Sequence, residues 1–133
     1  QITWKDEYSI GLKTIDEQHK QFVAILAQLL EACEEGGAGE GIGEILDRLR
    51  AYSETHFSFE EEQMKQCGFA DRHQHIAEHD IFRNKIANLR ERFEKGDRIL
   101  ELDTLDLMQS WLSDHVLGED KKFVECFRAA GIN

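Results

Sequence analysis

Four stretches of this chain carry apolar residues in alternating steps of three and four, and of seven side chains able to bind a metal six fall in those same steps and the seventh lies five residues beyond the last. The seven are His19, His56, Glu60, His75, His79, His115 and Asp120. A fold that buries the stripes must gather these seven as well, which points to amphipathic helices facing a common axis. A single histidine on an apolar stripe is ordinarily a satisfied core residue. Seven such groups in one core need partners, because buried ionisable side chains are costly unless paired or bound to a metal.

The first stripe runs through His19, Phe22, Val23, Leu26, Leu29, Leu30 and Cys33. Thr14-x-x-Glu17 ahead of it has the form of a capping box, and the helix is expected to stop near Gly36 and Gly37, with Gly36 to Gly43 as the first loop. The second stripe holds Ile42, Ile45, Leu46, Leu49, Tyr52, His56, Glu60 and Met64 and closes near Gly68. The third holds His75, His79, Phe82, Ile86, Leu89 and Phe93 and ends at Gly96. The fourth is expected to begin at Asp103 as N-cap and carries Leu105, Met108, Leu112 and His115. A short fifth helix, Glu119 to Ala129, presents Phe123, Val124 and Phe127. The expected fold is all-α: an antiparallel up-down four-helix bundle with an N-terminal arm and a short C-terminal helix, one domain over residues 1–133. The absence of proline suits long unbroken helices.

Residues four apart on a helix sit one turn above each other and can aim at one point, as His56 with Glu60 and His75 with His79 do. The step from His115 to Asp120 is five, and Gly118 lies inside it, so a π-type widening or a break is expected there. Imidazole nitrogens and carboxylate oxygens suit iron, zinc, manganese or copper, and five imidazoles exceed what one structural ion takes, so two metals are expected. Cys33, Cys67 and Cys126 form no Cys-x-x-Cys pair, which argues against a zinc finger or iron–sulfur cluster and makes each a small apolar residue. No Glu-x-x-His occurs, unlike carboxylate-rich di-iron bundles. His73, two residues before His75, faces away from the site and is expected to be exposed.

A net charge of −11 opposes binding to nucleic acid or anionic lipid, and no apolar run is long enough to span a membrane. Three cysteines, taken as unpaired, suit a reducing compartment, so a cytoplasmic location is expected; a monomer is expected as well. Gln1 is not a translation start, and the chain is expected to have been trimmed or excised from something longer.

Trp4, Ile15-Asp16-x-Gln18-His19-Lys20, His56-Phe57-x-x-Glu60-Glu61, Met64, the His75 and His79 pair, Trp111 and the His115 to Asp120 step together resemble the hemerythrin family, and more closely its bacterial single-domain branch, the bacteriohemerythrins. The resemblance covers nearly the whole chain; one departure is Phe69-Ala70, where bacterial relatives often have an aromatic-proline pair. It implies a non-heme di-iron centre with His75, His79 and His115 on one iron, His19 and His56 on the other, and Glu60, Asp120 and a hydroxide or oxide bridging both. Two octahedral irons offer twelve positions; five histidines and three bridges counted twice fill eleven, leaving one on the two-histidine iron. An open position of that kind is where O2 binds. The resemblance implies reversible binding in which both ferrous ions lend an electron to O2. Phe22, Phe57, Trp111, Leu112 and Val116 then form an apolar O2 pocket, a role that helix packing alone would also ask of them, with Leu112 as its gate. The expected function is a non-enzymatic O2 carrier, store or scavenger. An alternative is the O2- or redox-sensing domain of a larger signalling protein. A further one is a di-iron oxidase, peroxidase or nitric-oxide-handling enzyme, against which stands the lack of an added general acid or base on the stripes.

Overall fold

Helix α1 (Lys13–Glu34) turns Ile15, His19, Phe22, Val23, Ile25, Leu26 and Leu29 inward, the face its apolar spacing dictates. In this computed structural model, which describes residues 3–35, 41–97 and 99–132, the regular elements of the described residues are all helical. The expected capping box does not start α1: the helix begins at Lys13, with Leu12 as an extended N-cap. The nearby carboxylate serves the N-terminal arm instead, because Asp16 accepts the backbone N–H of Ile10 at 2.9 Å and the hydroxyl of Ser9. The arm is thereby tied onto the first turn of α1, close to His19.

Helix α2 (Gly41–Cys67) starts earlier than expected, so Gly41 to Gly43 are helix and not loop. The remainder of that expected loop, 36–40, with the expected stop at Gly36 and Gly37, lies outside the described residues. Glycine is costly inside a helix, and here packing explains one of them: a Cβ on Gly43 would come within 2.7 Å of the Phe93 ring. The missing side chain lets α3 (Arg72–Glu94) lie close against α2. Gly68 and Gly96, both at positive φ, close α2 and α3 where the stripes end.

Helix α4 (Glu101–Ser110) has Leu100 as N-cap. Asp103, expected there, sits inside the first turn and pairs with Arg92 of α3 at 2.9 Å, a bond between helices that the capping pattern does not distinguish. The chain then widens into a π turn over Trp111–Val116, passes Gly118, and continues as a 3-10 turn (Glu119–Phe123) and helix α5 (Val124–Ala129). α1 packs on α2 and α4, α2 on α3, and α5 on α2, giving the up-and-down bundle with a short final helix.

The core divides in two. One cluster, from Phe22 to Leu29, Ile42 to Tyr52, Phe57, Phe82 to Leu89, and Met108 to Val116, fills most of the bundle. The other joins Ile10, Leu12 and Ile15 to Met64, Phe123, Val124 and Phe127 at one end. Here one expectation is corrected: Cys67 and Cys126 form a disulfide, their Cα atoms 5.7 Å apart across a sequence separation of 59. Sequence spacing cannot show this pair, because folding α5 onto the end of α2 creates it. The argument from unpaired thiols to a reducing compartment falls with it. Cys33 remains a half-buried free cysteine packed against the larger cluster.

Candidate metal centre

Between the two clusters lies a layer of buried polar side chains: His19, His56, Glu60, His75, His79, His115 and Asp120, none more than 3% exposed. α1 supplies His19, α2 supplies His56 and Glu60 one turn apart, and α3 supplies His75 and His79 one turn apart. His115 and Asp120 come from the irregular end of the fourth segment. In the π turn the N–H of Leu117 is donated to the carbonyl of Leu112, five residues back, at 3.0 Å. This widening carries the five-residue step, and Gly118 lets the backbone close, since a Cβ there would meet the Asp114 carbonyl oxygen at 2.6 Å. Both expected devices, the widening and the break, are therefore present, the widening just upstream of the glycine.

The two carboxylates are divided between two groups of imidazoles. Glu60 Oε2 lies 2.8 Å from His56 Nε2 and 3.8 Å from His19 Nε2, and Asp120 Oδ2 lies 3.0 Å from His19 Nε2. The other oxygens face the other group: Glu60 Oε1 is 3.1 Å from His79 Nε2 and 3.4 Å from His75 Nε2, and Asp120 Oδ1 is 3.0 Å from both His75 and His115. Two sets of ligand atoms result, one from His19, His56, Glu60 and Asp120, the other from His75, His79, His115, Glu60 and Asp120, each gathered within 4.8 Å.

These atoms are close without being matched as donor and acceptor. His19 Nε2, His79 Nε2, His115 Nε2, Glu60 Oε2 and both oxygens of Asp120 are buried and have no hydrogen-bond partner. Such orphaned atoms are rare in a native core, and donors converging on two shared points are what a pair of cations with nitrogen and oxygen ligands would satisfy. The residues fit two such ions.

Protons compete for the same lone pairs. Burial opposes charging of His19, but the adjacent Asp120 and Glu60 outweigh it and raise its pKa to about 9. The same balance raises His75 to about 10 and lifts His79. For His56 burial wins, and its pKa is lowered. Glu60 and Asp120 are held well below the usual carboxylate range by the surrounding imidazoles, against the opposing effect of burial.

Residues outside the seven orient three of the five imidazoles through their far nitrogens: His56 Nδ1 by Gln18 Oε1, His79 Nδ1 by Glu61 Oε2 at 2.8 Å, and His115 Nδ1 by Glu78 Oε1 at 3.2 Å. Arg83 in turn pairs with Glu61 at 2.9 Å. The sequence reading assigned no role to Gln18, Glu61 or Glu78. Their signal was position: each directly neighbours one of the seven in sequence, about a quarter turn round the helix, where it faces the next helix.

Among the expected pocket residues, Phe22, Phe57, Leu112 and Val116 are buried and Trp111 is half-buried. The Phe57 ring stacks on His79 at 4.0 Å and the Trp111 ring on His115 at 3.8 Å, so both cover imidazoles directly. His73 is exposed, away from the layer. No helix among the described residues is long and apolar enough to cross a membrane.

Comparison with known proteins agrees with this arrangement. Residues 10–127 match the family model described as hemerythrin HHE cation binding domain. A bacteriohemerythrin of Methylococcus capsulatus is 33% identical over 129 residues, covering 96% of this chain and 98% of its own. One from Stenotrophomonas maltophilia is 29% identical, covering 96% and 82%. A hemerythrin-like protein of Naegleria gruberi is 25% identical, covering 92% and 90%.

Proposed function

This chain belongs to the hemerythrin family, and from that premise we propose that it binds O2 reversibly at a di-iron centre and turns over no substrate. The observation that carries the reading is the division of the two carboxylates, each with one oxygen toward each group of imidazoles. In the proposal His75, His79 and His115 would hold one iron, His19 and His56 the other, and Glu60 and Asp120 would serve both. Iron held by these residues would supply the reversible redox chemistry that O2 binding needs.

The chain's own residues orient and shield. Gln18, Glu61 and Glu78 fix three imidazoles in the tautomer that leaves Nε2 free to ligate. Two carboxylates keep the net charge of the buried centre low, which limits the cost of holding cations there. Phe22, Phe57, Trp111, Leu112 and Val116 exclude water, and with it the protons that would make O2 binding irreversible. The functions in view are carriage, storage or scavenging of O2.

The test is an absorption spectrum of the ferrous protein cycled between air and nitrogen. A visible band that appears in air and disappears under nitrogen over repeated cycles is expected. A spectrum that changes once and does not return, or never changes, overturns the reading.

A further inference from the structure

Residues one turn from the ligand layer form a level of their own. α1 and α3 run one way and α2 and α4 the other, so Phe22 and Phe82, three residues after His19 and His79, share a height with Tyr52, four before His56, and Leu112, three before His115. The level is lined by aromatic and aliphatic surface: Phe82 lies against Trp111 with ring centroids 4.4 Å apart, and Phe22 against Tyr52 at 5.7 Å. Ser53, next to Tyr52, spends its hydroxyl on the carbonyl of Arg50 at 2.9 Å.

Tyr52 carries an unpaired polar atom at this level, as Trp111 does through Nε1. The Tyr52 ring stacks on His56, centroids 5.3 Å apart and planes 16° apart, so it stands on the two-histidine side of the centre. Its hydroxyl is buried and has no hydrogen-bond partner. A buried hydroxyl left unpaired costs roughly 1–3 kcal/mol, and phenylalanine would supply the same ring contacts without that cost. What the oxygen adds is a buried, unpaired donor on the ring stacked against His56.

We propose that Tyr52 donates a hydrogen bond to the small ligand, O2 or an anion, held beside His19 and His56. This rests on the di-iron reading above and adds to it a residue that selects ligands carrying negative charge on an outer atom. It places that donor on the two-histidine side; the other unpaired donor of the pocket, Trp111 Nε1, belongs to the ring stacked on His115.

The experiment compares the iron-loaded, oxidised parent with Tyr52→Phe, using sodium azide as the probe. A parent that contains iron and binds azide establishes the centre, and the difference between parent and variant then tests Tyr52 alone; a parent without iron overturns both readings at that first step. With Tyr52→Phe, iron content should be unchanged and azide should bind about tenfold more weakly, the usual worth of a hydrogen bond to a charged group. Infrared spectra add a readout that packing cannot move: the stretch of bound azide should shift in D2O in the parent and not in the variant. In the metal-free protein, Tyr52→Phe should unfold at the same or a higher temperature, since it removes an unpaired buried hydroxyl. Azide affinity within about twofold of the parent with the D2O shift retained, or loss of iron from Tyr52→Phe, overturns the proposal.

Discussion

The ligand layer has two unlike sides. On one, Phe22, Tyr52, Phe82, Trp111 and Leu112 close the layer by packing alone. On the other, Ile15, Met64, Phe123 and Phe127 are joined by the N-terminal arm, bound to Asp16, and by the disulfide from Cys67 to Cys126. The difference follows from the elements that carry the ligands. His19, His56, Glu60, His75 and His79 ride on helices of more than twenty residues, whereas Asp120 comes from a five-residue 3-10 turn that cannot hold its own geometry. The covalent tie lies six residues beyond Asp120, while the opposite side of the layer is covered by packed side chains.

The sharpest way to break this comparison is to remove the tie. With a separation of 59 residues, Cys126→Ser should cost about 4 kcal/mol of stability by the loop-entropy relation. Denaturant unfolding reads it directly. On the proposed reading iron should also leave the variant more readily, because the turn carrying Asp120 is no longer tied to α2. A variant as stable and as iron-retentive as the parent would show that the packed side and the tied side do not differ as described.

Leu112→Ser probes the packed side. Truncating this buried leucine should cost about 3 kcal/mol and open a polar space that water can enter. The variant is expected to keep its iron, with the oxygenated spectrum decaying several-fold faster in air at fixed pH. Unchanged decay would reduce Leu112 to core packing and move the shielding to Trp111, Phe57 or Phe22.

A smaller, pH-dependent effect is expected once the metal is stripped by a chelator. His19, His75 and His79 have raised pKa values, so the stability they contribute is full below about 6.5 and is lost as pH rises through the raised values, which for His19 and His75 are about 9 and about 10. His56, lowered, acts in the opposite sense, and Glu60 and Asp120 contribute above the ordinary carboxylate range and lose it in acid. The melting temperature of the stripped protein should therefore fall between pH 7 and 10, while the iron-loaded protein, whose imidazoles must be neutral to ligate, should weaken toward acid instead. Parallel profiles for the two forms would contradict this.

Most of this was legible in the residues, and the reason is periodicity. Stripes in steps of three and four place His19, His56, Glu60, His75 and His79 on inward faces without any knowledge of tertiary structure. Even the irregular segment announced itself, through a five-residue step containing Gly118. What was not legible depended on contacts between helices. Thr14-x-x-Glu17 and Asp103 look like helix starts, but α1 begins at Lys13 and Asp103 binds an arginine on α3. Gln18, Glu61 and Glu78 acquire their roles from imidazoles 18 to 38 residues away. The disulfide arises only when α5 folds onto α2.

The central claim is that seven side chains hold two irons that share Glu60 and Asp120. Metal analysis of protein made in iron-replete cells tests it most directly, alongside Glu60→Ala, which removes one bridge and leaves cationic charge uncompensated in the core. The account predicts about two irons per parent chain and loss of that iron in Glu60→Ala. A single zinc or iron per parent chain, or two irons retained in Glu60→Ala, would contradict it.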